Sequence, residues 1–140
     1  MISKKAKYAL KALTFLSENY EKGNKPVLIS EIAEKETIPK KFLEAILLEL
    51  RHNSILHSQK GKGGGYMLRT APDQVSIAKI IRAIDGPIAP MLCVSLHFYG
   101  KCDDCQDEET CKIRPIMEKV RDANLAVYEN MTLKDMITES

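Results

Sequence analysis

Hydrophobic and polar positions alternate in two different ways along this chain. From Ser3 to about Tyr20 the apolar positions Ala6, Ala9, Leu10, Leu13 and Leu16 recur at helical spacing, with Lys4, Lys7 and Lys11 elsewhere on the surface. The pattern predicts an amphipathic helix, with Ser3 as its N-cap and Gly23-Asn24 after its end. A short helix is predicted from Glu31 to about Lys35, capped by Ser30, with Ile32 and Ala33 inward. Thr37-Ile38-Pro39 reads as a turn, with Thr37 as a cap and Pro39 in the first turn of the next helix. That helix is expected from about Lys40 to Asn53, with Phe42, Leu43, Ile46, Leu47 and Leu50 as its buried stripe. Two helices joined by a turn of this length match a helix-turn-helix, although other small helical domains show the same pattern.

The period then changes to two. Ile55 to Gln59 and Tyr66 to Thr70 read as strands, and Lys60-Gly61-Lys62-Gly63-Gly64-Gly65 reads as the turn between them. A hairpin directly after the second helix of a helix-turn-helix is the arrangement of a winged helix. Glycines at such a tip permit positive φ and a close approach to a phosphate backbone. No G-K-[ST] follows, and the loop joins two strands, which argues against a nucleotide-binding loop.

Helical spacing returns at Ile77 to Ala83, after Ser76 as cap, with Ile77, Ile80, Ile81 and Ile84 on one face. A long helix is predicted from about Ile113 to Asn130. Its stripe Ile116, Val120, Ala123 and Val127 has spacings of 4, 3 and 4, which suits a helix–helix seam between two subunits. Packing on its own domain would give a similar pattern. Thr132 is expected to cap a last turn through Met136. The fold class is therefore mostly α with one small β-hairpin. Three segments are expected: a winged helix-turn-helix over 1–85, a cysteine-rich loop over 86–112, and a dimerisation helix with its tail over 113–140.

Composition adds a sense of partner. The 140 residues carry a net charge of +2. Residues 1–70 hold 13 Lys and Arg against 7 acids, and residues 71–140 hold 8 against 12. A basic first half fits a polyanion such as double-stranded DNA. The candidate phosphate contacts are Lys4, Lys5, Arg51, Lys60 and Lys62, with Gly63, Gly64 and Tyr66 of the turn beside them. Lys40, Lys41 and Glu44 lie at the start of the second helix, where base edges are read; a glutamate can accept from cytosine N4. No apolar run approaches 18 residues, so no membrane span is expected. With Lys7 and Lys11 interrupting the apolar start, no export signal is read either. A cytoplasmic location with reduced thiols is expected.

All four cysteines fall between Cys93 and Cys111, with the spacing C-x8-C-x2-C-x5-C. Cys93, Cys102, Cys105 and Cys111 sit in a polar loop with Gly100 and the acids Asp103, Asp104, Asp107, Glu108 and Glu109. Clustered thiols with one C-x2-C are a metal or cluster signal, since thiolates are the soft ligands of zinc and iron–sulfur centres. Surface thiols or disulfides are the plainer alternative. A thiol enzyme is disfavoured, because His52, His57 and His97 are scattered and no nucleophile–base pair is evident.

These pieces together resemble the Rrf-type family of winged helix-turn-helix bacterial transcription regulators. The resemblance spans nearly the whole chain. It is carried by the KAKYALKAL start, the QKGKGGGYML wing, the SIAKIIRAIDG helix, the cysteine loop, the long helix and the TLKDM tail. It implies a homodimer that binds promoter DNA and, in many members, senses through the cysteine loop. Members that carry a cluster usually use three cysteines and one further ligand. The cluster-assembly regulators use a histidine three residues after the last cysteine; here that position is Arg114. The nitric-oxide sensors use an acid before the Tyr-Ala of the first helix; here it is Lys7. The additional cysteine of the C-x2-C pair would complete the set for an iron–sulfur cluster, with His97 as another candidate. Zinc is the alternative metal, in a zinc-stapled regulator or interaction protein. A metal-free regulator answering thiol chemistry or a protein partner is also open.

Overall fold

A computed structural model describes residues 1–139; Ser140, the last residue of the expected tail segment, lies outside the described residues. Helix α1 spans Lys4–Glu21, α2 Ile29–Glu36 and α3 Lys40–His52. Strands β1 (Leu56–Gln59) and β2 (Gly65–Leu68) follow. Helix α4 spans Ile77–Asp85, α5 Arg114–Asn130 and α6 Leu133–Thr138. One-turn 3-10 helices lie at Pro72–Gln74, Leu92–Val94 and Glu108–Thr110.

Ser3 caps α1 as its position suggests: its hydroxyl oxygen accepts from the Ala6 N–H at 2.9 Å. Its own backbone N–H donates to Asp85 at the end of α4 at 2.9 Å, and its hydroxyl donates to the same carboxylate. Ala6, Ala9 and Ala12 are fully buried beside Leu13 and Leu16. Such small side chains let neighbouring helices approach α1 closely, and α3, α4 and α6 all pack on it.

The turn of the helix-turn-helix differs from the sequence reading in three respects. Helix α2 begins at Ile29, with Leu28 at the cap position and no side-chain cap, so Ser30 lies inside the first turn. Thr37 does not cap α3. It ends α2 in the left-handed region at φ 55°, and its N–H donates to Ala33. Pro39 stands at the N-cap of α3, one residue earlier than expected. The chain needs a left-handed residue to reverse direction within three residues, and Thr37 takes that part.

Leu43, Ile46, Leu47 and Leu50 of α3 are completely buried. Phe42 is not: it is 51% exposed, its ring edge-on to Tyr8 of α1 at 6.0 Å between centroids. At 100° per residue Phe42 lies about 90° from the centre of the buried stripe, on the flank toward α1.

The two strands pair antiparallel, Leu56 opposite Leu68 and Gln59 opposite Gly65. A third segment joins the hairpin. Val27 and Tyr66 exchange two backbone hydrogen bonds, at 2.9 and 2.8 Å. This fixes the wing to the segment that enters α2.

Ser76 caps α4, accepting from the Lys79 N–H at 3.1 Å. The C-terminal tail folds back onto α1 and onto the segment that enters α4. Ile77 N–H donates to the Met131 carbonyl at 2.9 Å, and Leu133 N–H donates to the Val75 carbonyl at 3.0 Å. Thr132 and Asp135 form a capping box for α6, and Leu133 is fully buried in the main core. No helix among the described residues is long and apolar enough to cross a membrane.

Candidate nucleic-acid interface and cysteine cavity

Helix α3 and the hairpin meet in a shallow groove of about 470 Å3. Lys40, Glu44 and Arg51 reach it from α3; Lys60, Gly64 and Tyr66 reach it from the hairpin. Lys40, Glu44 and Arg51 are spaced 4 and 7 apart, which places them on one side of the helix. Arg51 also ties the two elements together, donating from Nη1 to the Ser58 hydroxyl at 3.0 Å. Leu28, Ile29 and Ser30 at the start of α2 complete the opposite wall. Neither that wall nor the Ser58 contact is visible in the sequence, since both depend on how the hairpin folds back.

The remaining candidates lie outside the groove. Lys41 is exposed on the outer face of α3, and Lys62 and Gly63 sit exposed at the hairpin tip. Lys4 lies over the Tyr8 ring, its Nζ 5.7 Å from the centroid. Lys5 is paired with Glu49 of α3 at 2.5 Å, so its charge is partly answered within the chain. At about a third exposure for both partners this pair is worth little stability, about 0–1 kcal/mol. Its effect is to hold α1 against α3.

The glycines divide into two kinds. Gly61 and Gly63 have φ +89° and +77°, and a side chain at either would meet open space. Gly64 and Gly65 are demanded by the hairpin itself. A Cβ at Gly64 would stand 2.2 Å from the Gln59 carbonyl oxygen, and one at Gly65 would stand 2.3 Å from the Val27 carbonyl oxygen. The expected role of these glycines in approaching phosphate therefore falls to the first pair.

The cysteines lie about a second cavity, of about 290 Å3, lined by Cys93, Cys102, Cys105 and Cys111 together with Met91, Asp104, Glu108, Ile113 and Arg114. Cys93 is buried and the other three are half-buried; none is in a disulfide. Among the described residues no three His, Cys, Asp or Glu side chains converge closely enough to hold a metal ion. His97 is exposed and does not line the cavity. Burial, with hydrogen bonding to Cys93, pushes the Cys102 thiol up. Tyr99 donates to the Glu108 carboxylate, which closes the loop and raises the phenol.

Arg114 lines the cavity beside the cysteines. Its Nη2 donates to the Cys93 carbonyl at 3.4 Å. Its Nε is buried without a hydrogen-bond partner, the Glu118 carboxylate being 3.7 Å away. The guanidinium is thus held between the carboxylates of Glu108 and Glu118 and the Cys93 carbonyl. The four cysteines line one cavity, but as placed they do not converge into a ligand set, and holding a group would require the loop to draw its sulfurs inward.

The exposed face of α5 carries Ile116 (60% exposed), Val120 (40%), Ala123 and Val127 (59%). Leu125, which the sequence reading passed over, turns inward instead, with Tyr128 against the core. Both faces of α5 are apolar, and a single 3–4 period could be assigned to only one of them.

Residues 2–139 match the family model for Rrf2, iron-dependent transcriptional regulators. The chain belongs to the Rrf2 family. A rrf2-like HTH-type transcriptional regulator of Rhodobacter capsulatus is 46% identical over 138 residues, covering 98% of this chain and 92% of its own. The HTH-type regulator CymR of Bacillus subtilis is 30% identical over 135 residues, covering 96% and 88%. Among solved structures, CymR, described as the global cysteine regulator of B. subtilis, superposes with a TM-score of 0.79 at 27% identity, covering 100% of this chain and 98% of its own. T. potens IscR superposes at 0.75 with 26% identity, covering 99% and 87%. This Rrf2 chain is thus an HTH-type transcriptional regulator and not an enzyme, built on a mostly helical winged fold.

Proposed function

We propose that this Rrf2 regulator binds promoter DNA as a homodimer and senses redox, iron or nitrosative state through an iron–sulfur cluster held by Cys93, Cys102, Cys105 and Cys111. The observation that supports the sensing half is the single cavity lined by all four cysteines, with Arg114 beside them. Four thiolates saturate a cluster without the histidine or acid of the related regulators. When bound, the cluster supplies a one-electron redox centre that oxidants and nitric oxide can alter.

The chain's own residues account for the DNA half. Helix α3 enters the major groove, with Lys40, Lys41 and Glu44 toward the base edges. Lys60 and Lys62 lie along the phosphates, and the open glycines Gly61 and Gly63 let the tip approach them. Arg51 holds the wing in register with α3 through Ser58. The α5 stripe, exposed in the single chain, is covered by the same stripe of a second copy.

Anaerobic purification with a visible spectrum and metal analysis tests the cofactor. Iron, sulfide and visible absorption are expected, and each Cys→Ser variant should lose them. Zinc in a colourless protein would replace the cluster with a structural metal. Full cluster occupancy in Cys102→Ser, with loss in the other three, would remove Cys102 from the ligand set. A colourless, metal-free protein whose DNA binding ignores all four substitutions would refute the sensor reading.

A further inference from the structure

The most outward stripe of the recognition helix is half apolar. On a helical projection the buried residues Leu43, Ile46, Leu47 and Leu50 occupy one side of α3. The groove residues Lys40, Glu44 and Arg51 lie on one flank, and Phe42 and Glu49 lie on the other, against Tyr8 and Lys5 of α1. Between these flanks, opposite the core, Lys41, Ala45, Leu48 and His52 fall within about 60° of one another. All four are exposed, Leu48 at 43%. A leucine and an alanine in the middle of the face farthest from the core serve no packing purpose within the chain.

We infer that Ala45 and Leu48 read the 5-methyl groups of two neighbouring thymines in the major groove. This inference rests on the proposed docking of α3 into that groove. The charge around the stripe favours DNA over a protein partner: Lys41 belongs to it, and Lys40 and Arg51 with Lys60 of the hairpin line the groove beside it. Within the major groove the thymine methyl is the apolar feature, and small apolar side chains are its complement. Ala45 and Leu48 are three residues apart, so they sit about 4.5 Å apart along the helix axis. That is a little more than one base-pair step of about 3.4 Å. The two side chains therefore suit adjacent base pairs, each presenting a methyl. Lys41, one turn before Ala45, remains free for a guanine or a phosphate on the N-terminal side. The direct consequence is a specificity element in which the DNA methyl group, and not only its hydrogen-bonding edge, is recognised.

The test uses the full chain. Duplexes that it binds are selected from a random pool, and each conserved thymine is then replaced by deoxyuridine, which removes only the methyl. Loss of one buried methyl should weaken binding about fourfold. Two adjacent thymine positions per half-site should show this loss. In Leu48→Ala the penalty at one of them should vanish, with T and dU bound equally, while the penalty at the other persists. Ala45→Gly should abolish the penalty at the neighbouring position, and a urea midpoint on the same sample separates this from helix weakening. Leu48→Ala leaves the core untouched and puts a better helix former at an exposed site, so the fold is retained. Indifference to deoxyuridine at every selected thymine would overturn the inference while leaving the DNA-binding reading intact. So would a wild-type T/dU ratio in both variants. Failure to bind any duplex would overturn both.

Discussion

Replacing Gly65 by alanine should detach the wing from the helix-turn-helix while leaving both intact. Gly65 has φ +149°, a backbone conformation that side-chain-bearing residues rarely adopt. A Cβ there would stand 2.3 Å from the carbonyl oxygen and 2.5 Å from the carbonyl carbon of Val27. Both neighbours are backbone, so no side-chain rotation relieves the clash. The strand and the Val27 segment must separate by more than 1 Å to reach ordinary contact. That movement breaks the pair of hydrogen bonds between Val27 and Tyr66, now 2.9 and 2.8 Å.

The magnitude follows from these terms. Two backbone hydrogen bonds contribute about 0.5–1.5 kcal/mol each. Forcing alanine into the glycine region adds about 1–3 kcal/mol unless the backbone relaxes. Relaxation trades one term against the other, so about 3 kcal/mol is expected in total. Urea unfolding at fixed protein concentration measures it, because a dimer's midpoint depends on concentration. Binding to a cognate duplex under native conditions should also weaken at least tenfold, since the groove of Lys40, Glu44 and Lys60 depends on the wing's position. Gly61→Ala is the control: its Cβ meets open space, so only the backbone strain, about 1 kcal/mol, remains. If Gly65→Ala is no more destabilising than Gly61→Ala, the Val27–Tyr66 bridge does not hold the wing.

Lys60→Ala with Lys62→Ala should weaken binding to every duplex alike and lower the log–log salt slope by about 0.9 per lost phosphate contact. An unchanged slope would take the wing off the phosphate backbone. Val120→Glu would place an unpaired charge in the proposed seam of two α5 helices. Light scattering should then report monomer where the unaltered chain is dimeric, and a persistent dimer would put the interface elsewhere.

Most of the fold was legible because single-period signals dominate it. The stripe of α3 and the caps Ser3, Ser76 and Thr132 each follow from local chemistry, and each appears in the structure. The misreadings have separate causes. Thr37 favours a helix start by type, but the sharp reversal needed a left-handed residue, and the geometry of the turn overrode the preference. Phe42 is apolar and adjacent to the buried stripe, yet a hydrophobic residue on the edge of a helical face can be left half outside by its neighbours. The tail's return was hidden for a different reason. Its anchors are backbone hydrogen bonds to Val75 and Ile77, which no side-chain pattern announces. At the proposed DNA surface, the basic residues that line it could be named from the sequence. The Lys5–Glu49 pair, which partly answers one of those charges, could not, because its members are 44 positions apart.

What links the cysteine loop to the DNA half is a set of anchors at both ends of α5. Arg114 and Arg121 donate to the carbonyls of Cys93 and Val94, the latter at 2.8 Å, so the loop's entry is held by side chains of α5. Helix α5 packs on α4, with Arg82 paired to Glu129 at 2.8 Å. The last residue of α4, Asp85, receives the Ser3 N–H at the start of α1, and α1 holds α3 through Lys5 and Glu49. Contiguity of this kind does not amount to coupling. A signal at the cysteines alters DNA affinity only if it interacts with different free energy in two arrangements of these elements. The anchors show where the difference must arise. Surface pairs such as Arg82–Glu129 are too weak to carry several kcal/mol, at about 0–1 kcal/mol each. The Arg114 and Arg121 contacts involve half-buried guanidinium groups and backbone carbonyls of the loop itself. Any rearrangement that draws Cys93 toward the other thiols must move the carbonyls that these two side chains grip. The loop and the first two turns of α5 therefore have to change together, and α5 is the element through which the second subunit would feel it.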